Sequence, residues 1–408
     1  MNISHRATSI QESPIRKLAP LAAAARARGV AIYHLNIGQP DVPTPPEFFR
    51  AVAGFKEKVL AYGPSDGLPE LRTAMVEYFA RYEIALEPRD VLITNGGSEA
   101  ILFAFNVVAD KGEEILIPEP FYTNYNGYAE MASLHVRPVR TVAEDGFHLP
   151  ADAALDAAIG PRTRAVLVCS PNNPTGTVLN WDELERLAAF VKRHDLFLIA
   201  DEVYKEFTYD GRRHHSVLDL PGIEERVIVV DSISKRFSAC GARVGAVISR
   251  NREVMASVLK FGQARLCPPT LEQVGAIAAY RLPESYFDAV RAEYQHRRDV
   301  TFAALTRDPS IVLRQPRGAF YMIVKMAGVE DSDDFAAWLL SDFEQNGETV
   351  MVAPAGGFYA TPNAGKDEVR LAYVLEAPKL ERAAALLLAG LERYRALRPA
   401  AAAASRRR

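Results

Sequence analysis

The sequence has few cysteines, little net charge and no long apolar run. Its 408 residues include 3 cysteines, an odd number without metal-ligand spacing, so neither a disulfide framework nor a metal site is expected. The 48 basic and 51 acidic residues leave a net charge of −3, which gives no support for a nucleic-acid or membrane surface. No apolar run reaches the roughly 20 residues of a membrane helix, and residues 1–16 lack a signal core. We therefore expect a soluble, cytoplasmic protein.

Short apolar runs alternate with helical segments through the middle of the chain. A chain of 408 residues is long enough for two domains with a crevice between them. The alternation predicts an α/β fold with a largely parallel sheet covered by helices. Strands are predicted at 33–37 and 91–94, and apolar runs stand at 114–117, 165–168, 196–200 and 227–230. Helices are predicted over 18–29, 69–82, 181–194, 284–305 and 333–346, with one more beginning near residue 98.

Three polar segments follow directly after apolar runs. They are Pro171-Asn-Asn-Pro-Thr-Gly176, Asp201-Glu-Val-Tyr204 and Ser232-Ile-Ser-Lys235, and Arg243 stands eight residues after the lysine. A strand end in an α/β protein opens into the ligand crevice, so Lys235 is placed for chemistry rather than for solvation. A lysine in that place can carry a cofactor as an imine.

The order of these segments resembles the pyridoxal-phosphate enzymes of fold type I. More narrowly, the sequence is similar to the class I/II aminotransferases of the aspartate-aminotransferase type. The resemblance runs from about Ser13, where Ser-Pro-Ile-Arg-Lys begins, to Tyr373. It implies pyridoxal 5'-phosphate as the cofactor, L-amino acids and 2-oxo acids as substrates, and a homodimer with shared active sites.

The same resemblance implies how the chain is divided. A large domain with a mostly parallel, seven-stranded type of sheet is expected to bind the cofactor, beside a smaller α+β domain built from both chain ends. The expected divisions are 1–46 for the N-terminal arm and part of the small domain, 47–285 for the large domain, and 286–408 for the rest of the small domain. A frayed tail is expected near 398–408.

Pyridoxal phosphate needs a covalent anchor, a phosphate clamp, partners for its ring nitrogen and phenolate oxygen, and a stacking face. The resemblance makes Lys235 the anchor and the carrier of the substrate α-proton. It makes Asp201 the partner of the ring nitrogen, and Tyr204 and Asn173 donors to the phenolate oxygen. Outside this context, Asp201 would be assigned as a helix cap and Tyr204 as a core aromatic.

The phosphate is expected at the helix that begins near residue 98. Gly97, Ser98 and Glu99 stand at its start, where free N–H groups and the helix dipole favour an anion. Ser232 adds a hydroxyl, and Arg243 adds a planar fork that can bond two phosphate oxygens at once.

Two aromatic positions are implied by the resemblance alone. Tyr122 matches the residue that stacks on the cofactor, where many relatives have tryptophan, and Phe121 is the competing assignment. Tyr62 matches a tyrosine that reaches the cofactor phosphate of the neighbouring subunit. Without the resemblance, Tyr62 would be assigned as a loop aromatic.

Substrate binding is assigned by the resemblance to both ends of the chain. Arg370 matches the arginine that grips the α-carboxylate, and an arginine in an apolar strand otherwise needs a buried partner. Asn173 also faces the substrate, and Gly38, with residues 36–37, matches the segment that covers it. Closure of the small domain over this site would exclude water.

The partner of the substrate side chain is left open by the sequence. Arg16, Lys17 and Arg265 are candidates for a second carboxylate, and each is otherwise an ordinary solvated charge. The turn Pro354-Ala-Gly-Gly-Phe358 departs from the Pro-Gly more often seen before the substrate arginine, and this difference changes one wall of the site.

The resemblance implies a ping-pong aminotransferase that uses a Lys235 imine, with L-aspartate and 2-oxoglutarate as substrates. Aromatic amino acids, methionine or alanine are alternative substrates. A carbon–sulfur β-lyase would share every cofactor residue. A cofactor-sensing transcription regulator would need a DNA-binding segment before the enzyme-like part, which here begins near residue 13.

Overall fold

A computed structural model describes residues 1–397, which form three β-sheets with surrounding helices. The predicted tail at 398–408 lies outside the described residues. The strands are β1 Ala31–His34, β2 Val91–Thr94, β3 Glu114–Glu119, β4 His135–Arg140, β5 Thr163–Cys169, β6 Phe197–Asp201, β7 Val227–Ser232, β8 Gly245–Ile248, β9 Ile311–Val312, β10 Tyr321–Met326, β11 Glu348–Met351, β12 Ala353–Pro354 and β13 Glu368–Ala372. The helices are α1 His5–Ser9, α2 Ala19–Ala27, α3 Pro46–Ala53, α4 Pro69–Ala80, α5 Gly96–Val108, α6 Asn124–Ala132, α7 Asp152–Ala158, α8 Trp181–Arg193, α9 Ile233–Arg236, α10 Arg252–Arg265, α11 Thr270–Tyr280, α12 Glu284–Leu305, α13 Ser332–Ser341 and α14 Ala377–Leu397.

The large sheet has seven strands in the order β2-β8-β7-β6-β5-β3-β4. Strand β8 runs antiparallel to both of its neighbours, and the other pairings are parallel. Successive residues of β5 pack into two different hydrophobic clusters, Val166 and Val168 into one and Ala165 and Leu167 into the other. A strand that is apolar on both faces needs a helix layer on each side. The predicted α/β class and largely parallel sheet are confirmed.

Two smaller sheets are formed by the remaining strands, one from strands within residues 311–372 and the other from β1 and β11. The four-stranded small sheet has the antiparallel order β12-β13-β10-β9, and β1 pairs in parallel with β11. The domain divisions at residues 46/47 and 285/286 stay a prediction. The second of them falls within the first turn of α12, which begins at Glu284.

Local sequence signals explain where helix α8 begins and where helix α13 ends. Helix α8 begins with a capping box, in which Asn180 Oδ1 accepts from Glu183 N at 2.9 Å and Glu183 Oε2 accepts from Asn180 N at 2.9 Å. The helix predicted over 333–346 ends at Ser341. Its last residues instead form a turn, because Asn346 has φ 58° and Gln345 pairs with Glu348 across an isolated bridge.

The described residues also lack two kinds of feature. No helix within 1–397 is long and apolar enough to cross a membrane. In the same range, no group of three or more histidine, cysteine, aspartate or glutamate side chains could hold a metal ion. The cytoplasmic location and the absence of a metal stay predictions.

Candidate active site

A cavity of about 440 Å³ opens between the large sheet and the small sheet. The carboxyl ends of β5, β6 and β7 form one side of it, and strands β10 and β13 form the other. Side chains at these strand ends can converge on one crevice, because the carboxyl ends of neighbouring parallel strands lie at the same edge of the sheet. Most of the residues predicted from the sequence line this cavity: Arg16, Gly38, Gly97, Ser98, Tyr122, Asn173, Asp201, Tyr204, Ser232, Lys235, Arg243 and Arg370.

Lys235 lies in the short helix α9, directly after strand β7. Its Nζ donates a hydrogen bond to the carbonyl oxygen of Gly38 at 3.0 Å and lies 3.8 Å from Cys240 Sγ. Gly38 has no room for a side chain, because a Cβ there would overlap the ring of Tyr321. The hydrogen bond to the Gly38 carbonyl oxygen holds the lysine amine in the cavity, and this contact comes from the N-terminal part of the chain.

Asp201 ends strand β6 and is 4% exposed. The hydroxyl of Tyr125 donates to Asp201 Oδ2 at 2.7 Å, and the N–H of Val203 donates to Oδ1 at 3.3 Å. Burial raises the pKa of Asp201 to about 6. A cationic N–H group in the cavity would favour the ionised form, so this carboxyl is suited to pair with a protonated ring nitrogen.

Tyr125 is a neighbour of Asp201 that the sequence analysis missed. It stands in the same Phe-Tyr-Thr-Asn-Tyr segment as Tyr122 and lies in the first turn of helix α6. Its place in a segment already assigned to the site was the available signal. The contact with Asp201 itself joins residues 76 apart in the chain, and only the fold brings them together.

Two tyrosines meet on the side of the cavity next to Asp201. The hydroxyl oxygens of Tyr204 and Tyr321 lie 2.9 Å apart. Burial raises the pKa of Tyr204, which keeps its phenol protonated and able to donate a hydrogen bond. Tyr321 lies on β10 and was not identified from the sequence, because the apolar segment around it reads as core.

The start of helix α5 forms a corner of the cavity that is suited to an anion. The residue before this helix, Asn95, makes no side-chain capping bond, so the first N–H groups are left for another partner. Gly97, Ser98 and Ser232 line this end of the cavity. Arg243 is exposed at the mouth, where its Nη2 donates to the carbonyl oxygen of Asn95 at 3.3 Å.

Glu99 and Arg265 do not line the cavity. Glu99 Oε2 accepts from the backbone N–H of Asn95 at 2.8 Å and pairs with Arg265 Nε at 3.2 Å. Arg265 Nη2 also donates to the carbonyl oxygen of Ile93 at 3.0 Å. Glu99, which was predicted to bind the phosphate, and Arg265, which was predicted to bind the substrate, thus form an ion pair with each other behind the helix start.

Three further residues predicted for the site, Lys17, Tyr62 and Tyr122, differ in whether they line the cavity. Lys17 forms an ion pair with Asp333 and does not line the cavity. Tyr62 is 80% exposed and lies outside the cavity. Tyr122 lines it, whereas Phe121 is buried in the core and stacks on Tyr125.

Arg370 lies on β13 and is 1% exposed. Its Nη1 donates to Asn173 Oδ1 at 3.2 Å, and its Nη2 donates to the carbonyl oxygen of Asn36. Its Nε has no hydrogen-bond partner within residues 1–397. Burial lowers the pKa of Arg370, so the buried cation is poised to gain from an arriving carboxylate.

The sheet order and the cavity together define a pyridoxal-phosphate-dependent enzyme of fold type I. The profile of the class I and II aminotransferases matches residues 31–387, and the chain belongs to that family. The residues present fit the cofactor of the family: an amine, a buried carboxyl, a tyrosine ring and an uncapped helix start lie around one cavity.

Relatives with different substrates are similar to this chain. An aspartate aminotransferase of Geobacillus stearothermophilus is 29% identical over 94% of this chain and 97% of its own length. An aromatic-amino-acid aminotransferase of Thermococcus litoralis is 33% identical over 94% of this chain and 96% of its own length. The structure of an alanine aminotransferase from Pyrococcus furiosus superposes with a TM-score of 0.87 at 30% identity, covering 96% of this chain and all of that one. The family is therefore settled and the substrate is not.

Proposed function

We propose that this aminotransferase transfers the amino group of L-aspartate to 2-oxoglutarate in two half-reactions at one site. The observation that carries the dicarboxylate assignment is the guanidinium of Arg16 at the cavity wall, which has no ion pair within residues 1–397. The relatives support the general reaction, and two of the three named above act on other amino acids by their names. The preference for an acidic substrate side chain is inferred from the charged residues of this chain.

The cofactor is held, in this proposal, by the residues that converge on the cavity. When bound, pyridoxal phosphate supplies an electron sink for the pair released at the substrate α-carbon. Lys235 is its covalent anchor, and Asp201 pairs with its ring nitrogen. Tyr204 and Asn173 donate to its phenolate oxygen. The stacking ring is Tyr122, and the phosphate partners are Gly97, Ser98, Ser232 and Arg243.

Lys235 also moves the proton. Its Nζ lies in a half-buried position at the cavity. With the cofactor bound, this amine would take up the α-proton of the substrate at Nζ and give it back in the second stage of the transfer. The carbonyl oxygen of Gly38, 3.0 Å from Nζ, orients the amine for both transfers.

Arg370 binds the α-carboxylate. Asn173 and the Asn36 carbonyl hold two of its nitrogens, while Nε is buried without a hydrogen-bond partner among residues 1–397. A carboxylate can accept from a guanidinium at two oxygens, which fixes the α-carbon next to the lysine amine.

The three candidates for the second carboxylate differ in their partners. Lys17 is paired with Asp333, and Arg265 is paired with Glu99. Arg16 lines the cavity, and its side chain has no ion pair or hydrogen bond with another residue of 1–397. A cation that faces the substrate and is not already neutralised favours an acidic substrate side chain.

We expect Arg16→Gln to raise the KM for L-aspartate about tenfold, the loss of roughly one hydrogen bond to a charged group. Lys17→Gln, one residue away and facing Asp333, is the matched control and should leave that KM within about twofold. The absorbance of the lysine-bound cofactor, followed while single L-amino acids and then oxo acids are added, measures both effects.

The same titration tests the substrate assignment. Conversion of the absorbance by aspartate and glutamate, with recovery on 2-oxoglutarate, is the expected result. Conversion only by aromatic amino acids, methionine or alanine would refute the dicarboxylate assignment and leave the aminotransferase intact. Release of pyruvate and ammonia with an unchanged band would indicate a lyase.

We also propose that the active form is a homodimer. Several large apolar or aromatic side chains are exposed, among them Phe49, Val59, Leu60, Tyr62 and Leu266. A second copy that covers such side chains would bring Tyr62 to the partner's cofactor phosphate. Sedimentation should give about twice the chain mass of 44.9 kDa, and a monomer that retains full activity would overturn the proposal.

A further inference from the structure

Residues 358–361, here called the coupling segment, connect the carboxyl end of strand β3 with the wall of the cavity. The backbone N–H of Phe121 donates to the carbonyl oxygen of Phe358 at 2.9 Å. The N–H groups of Ala360 and Thr361 donate to one oxygen of the Glu119 side chain, at 2.9 and 3.0 Å. The end of a large-sheet strand thus holds a loop that precedes β13 of the small sheet.

The coupling segment places an aromatic ring against the substrate arginine. The guanidinium carbon of Arg370 lies 5.0 Å from the ring centroid of Phe358 and 4.7 Å from that of Tyr321. Phe358 itself is fully buried. Rings at these distances attract the guanidinium and exclude water from it, which strengthens its later bond to a carboxylate.

Glu119 is an unusual residue for a purely structural contact. Its side chain is 0% exposed, and its second oxygen, Oε1, has no hydrogen-bond partner within residues 1–397. Burying a carboxylate that is only half satisfied costs stability. Such a cost is commonly found near functional sites, where a fixed geometry matters more than stability.

We propose that Glu119 is a positioning residue for substrate binding. By accepting from Ala360 and Thr361, it holds the coupling segment so that the ring of Phe358 stays against the guanidinium of Arg370. This rests on the proposed role of Arg370 as the partner of the substrate α-carboxylate. Glu119 does not line the cavity, and its proposed effect on the substrate passes through Phe358.

The first test compares two variants of Glu119. Glu119→Ala removes the acceptor and should raise the KM for both the amino acid and the oxo acid about tenfold, with kcat and the cofactor absorbance nearly unchanged. Glu119→Gln keeps an oxygen acceptor and should restore a KM within about threefold of the wild type. The substrate used is whichever amino acid converts the absorbance fastest, so the test does not depend on aspartate.

A matched control lies at the other end of the same strand. Glu114 begins β3, is 7% exposed and pairs with Arg137 and Arg162, away from the cavity. Glu114→Ala should leave the KM unchanged, even where it lowers the unfolding temperature as much as Glu119→Ala. An equal rise in KM for both variants would overturn the proposal, because general destabilisation would then explain it.

A double-mutant comparison shows whether Glu119 acts through Phe358. Phe358→Leu should raise the KM about as much as Glu119→Ala, and the combined variant should raise it no further. Multiplied effects, or a normal KM in Phe358→Leu, would overturn the proposal. Phe358→Leu decides the question even where Glu119→Ala does not fold. A normal KM in Arg370→Ala would instead refute the role of Arg370, which is a separate result.

Discussion

Replacement of Lys235 by alanine should abolish transamination, with a loss of about 10⁴-fold or more. Positioned proton transfer contributes about 10²–10⁴-fold by itself, and the variant also loses the covalent anchor. The absorbance of the lysine-bound cofactor should disappear. Turnover measured with the amino acid and the oxo acid, beside that absorbance, checks the expectation.

The Lys235→Arg variant tests whether activity needs the lysine amine itself or only a positive charge at that position. Arginine keeps a cation within reach of the Gly38 carbonyl oxygen, but it neither forms the same bond to the cofactor nor gives up its proton in the working range. It should be as inactive as the alanine variant. Normal turnover by either variant would show that the anchor lies elsewhere.

Replacement of Arg370 by alanine should weaken amino-acid and oxo-acid binding by roughly 100-fold while the cofactor is retained. The variant loses hydrogen bonds between a buried cation and a carboxylate, worth about 1.5–3 kcal/mol, or roughly tenfold to 150-fold in affinity. Arg370→Lys should recover only part of the loss, because a single ammonium cannot bond two carboxylate oxygens in a planar fork. Spectroscopic titration with both substrates measures each affinity.

Stability gives an independent check on the same residue. The guanidinium is 1% exposed, burial lowers its pKa, and its Nε is unpartnered within residues 1–397. A buried charge without full pairing costs free energy of folding, so Arg370→Met should unfold at the same temperature as the wild type or higher. A marked fall in that temperature would mean that Arg370 is mainly a structural residue.

The separation of roles between Lys235 and Arg370 follows from where they lie. Lys235 follows a strand of the large sheet, and Arg370 lies on a strand of the small sheet. The variants should therefore differ in their defects. Variants of Lys235 should lose the reaction, whereas variants of Arg370 should lose affinity for the substrate. An identical loss of cofactor in both would point to a general collapse of the cavity.

Much of the fold could be predicted from local sequence signals. The strands at 91–94, 114–117, 165–168 and 227–230 are apolar on both faces, so their runs are continuous and easily recognised. Strand β4 at the sheet edge was missed, because five of its six residues are partly buried or exposed and two of the six are arginines. Strand β8 was missed because only four residues, beginning with a glycine, form it.

The sequence by itself determined the class of enzyme, since the lysine, the aspartate and the glycine-rich helix start each follow a buried strand, and strand ends converge at one edge of a parallel sheet. Only the tertiary structure decided which charges are free. Lys17 and Arg265 are neutralised by Asp333 and Glu99, whereas Arg16 is left facing the cavity. It also brought Glu119 to residues more than 200 positions later in the chain. Pairing between distant segments depends on how helices and sheets pack, and no local pattern of residue types records it.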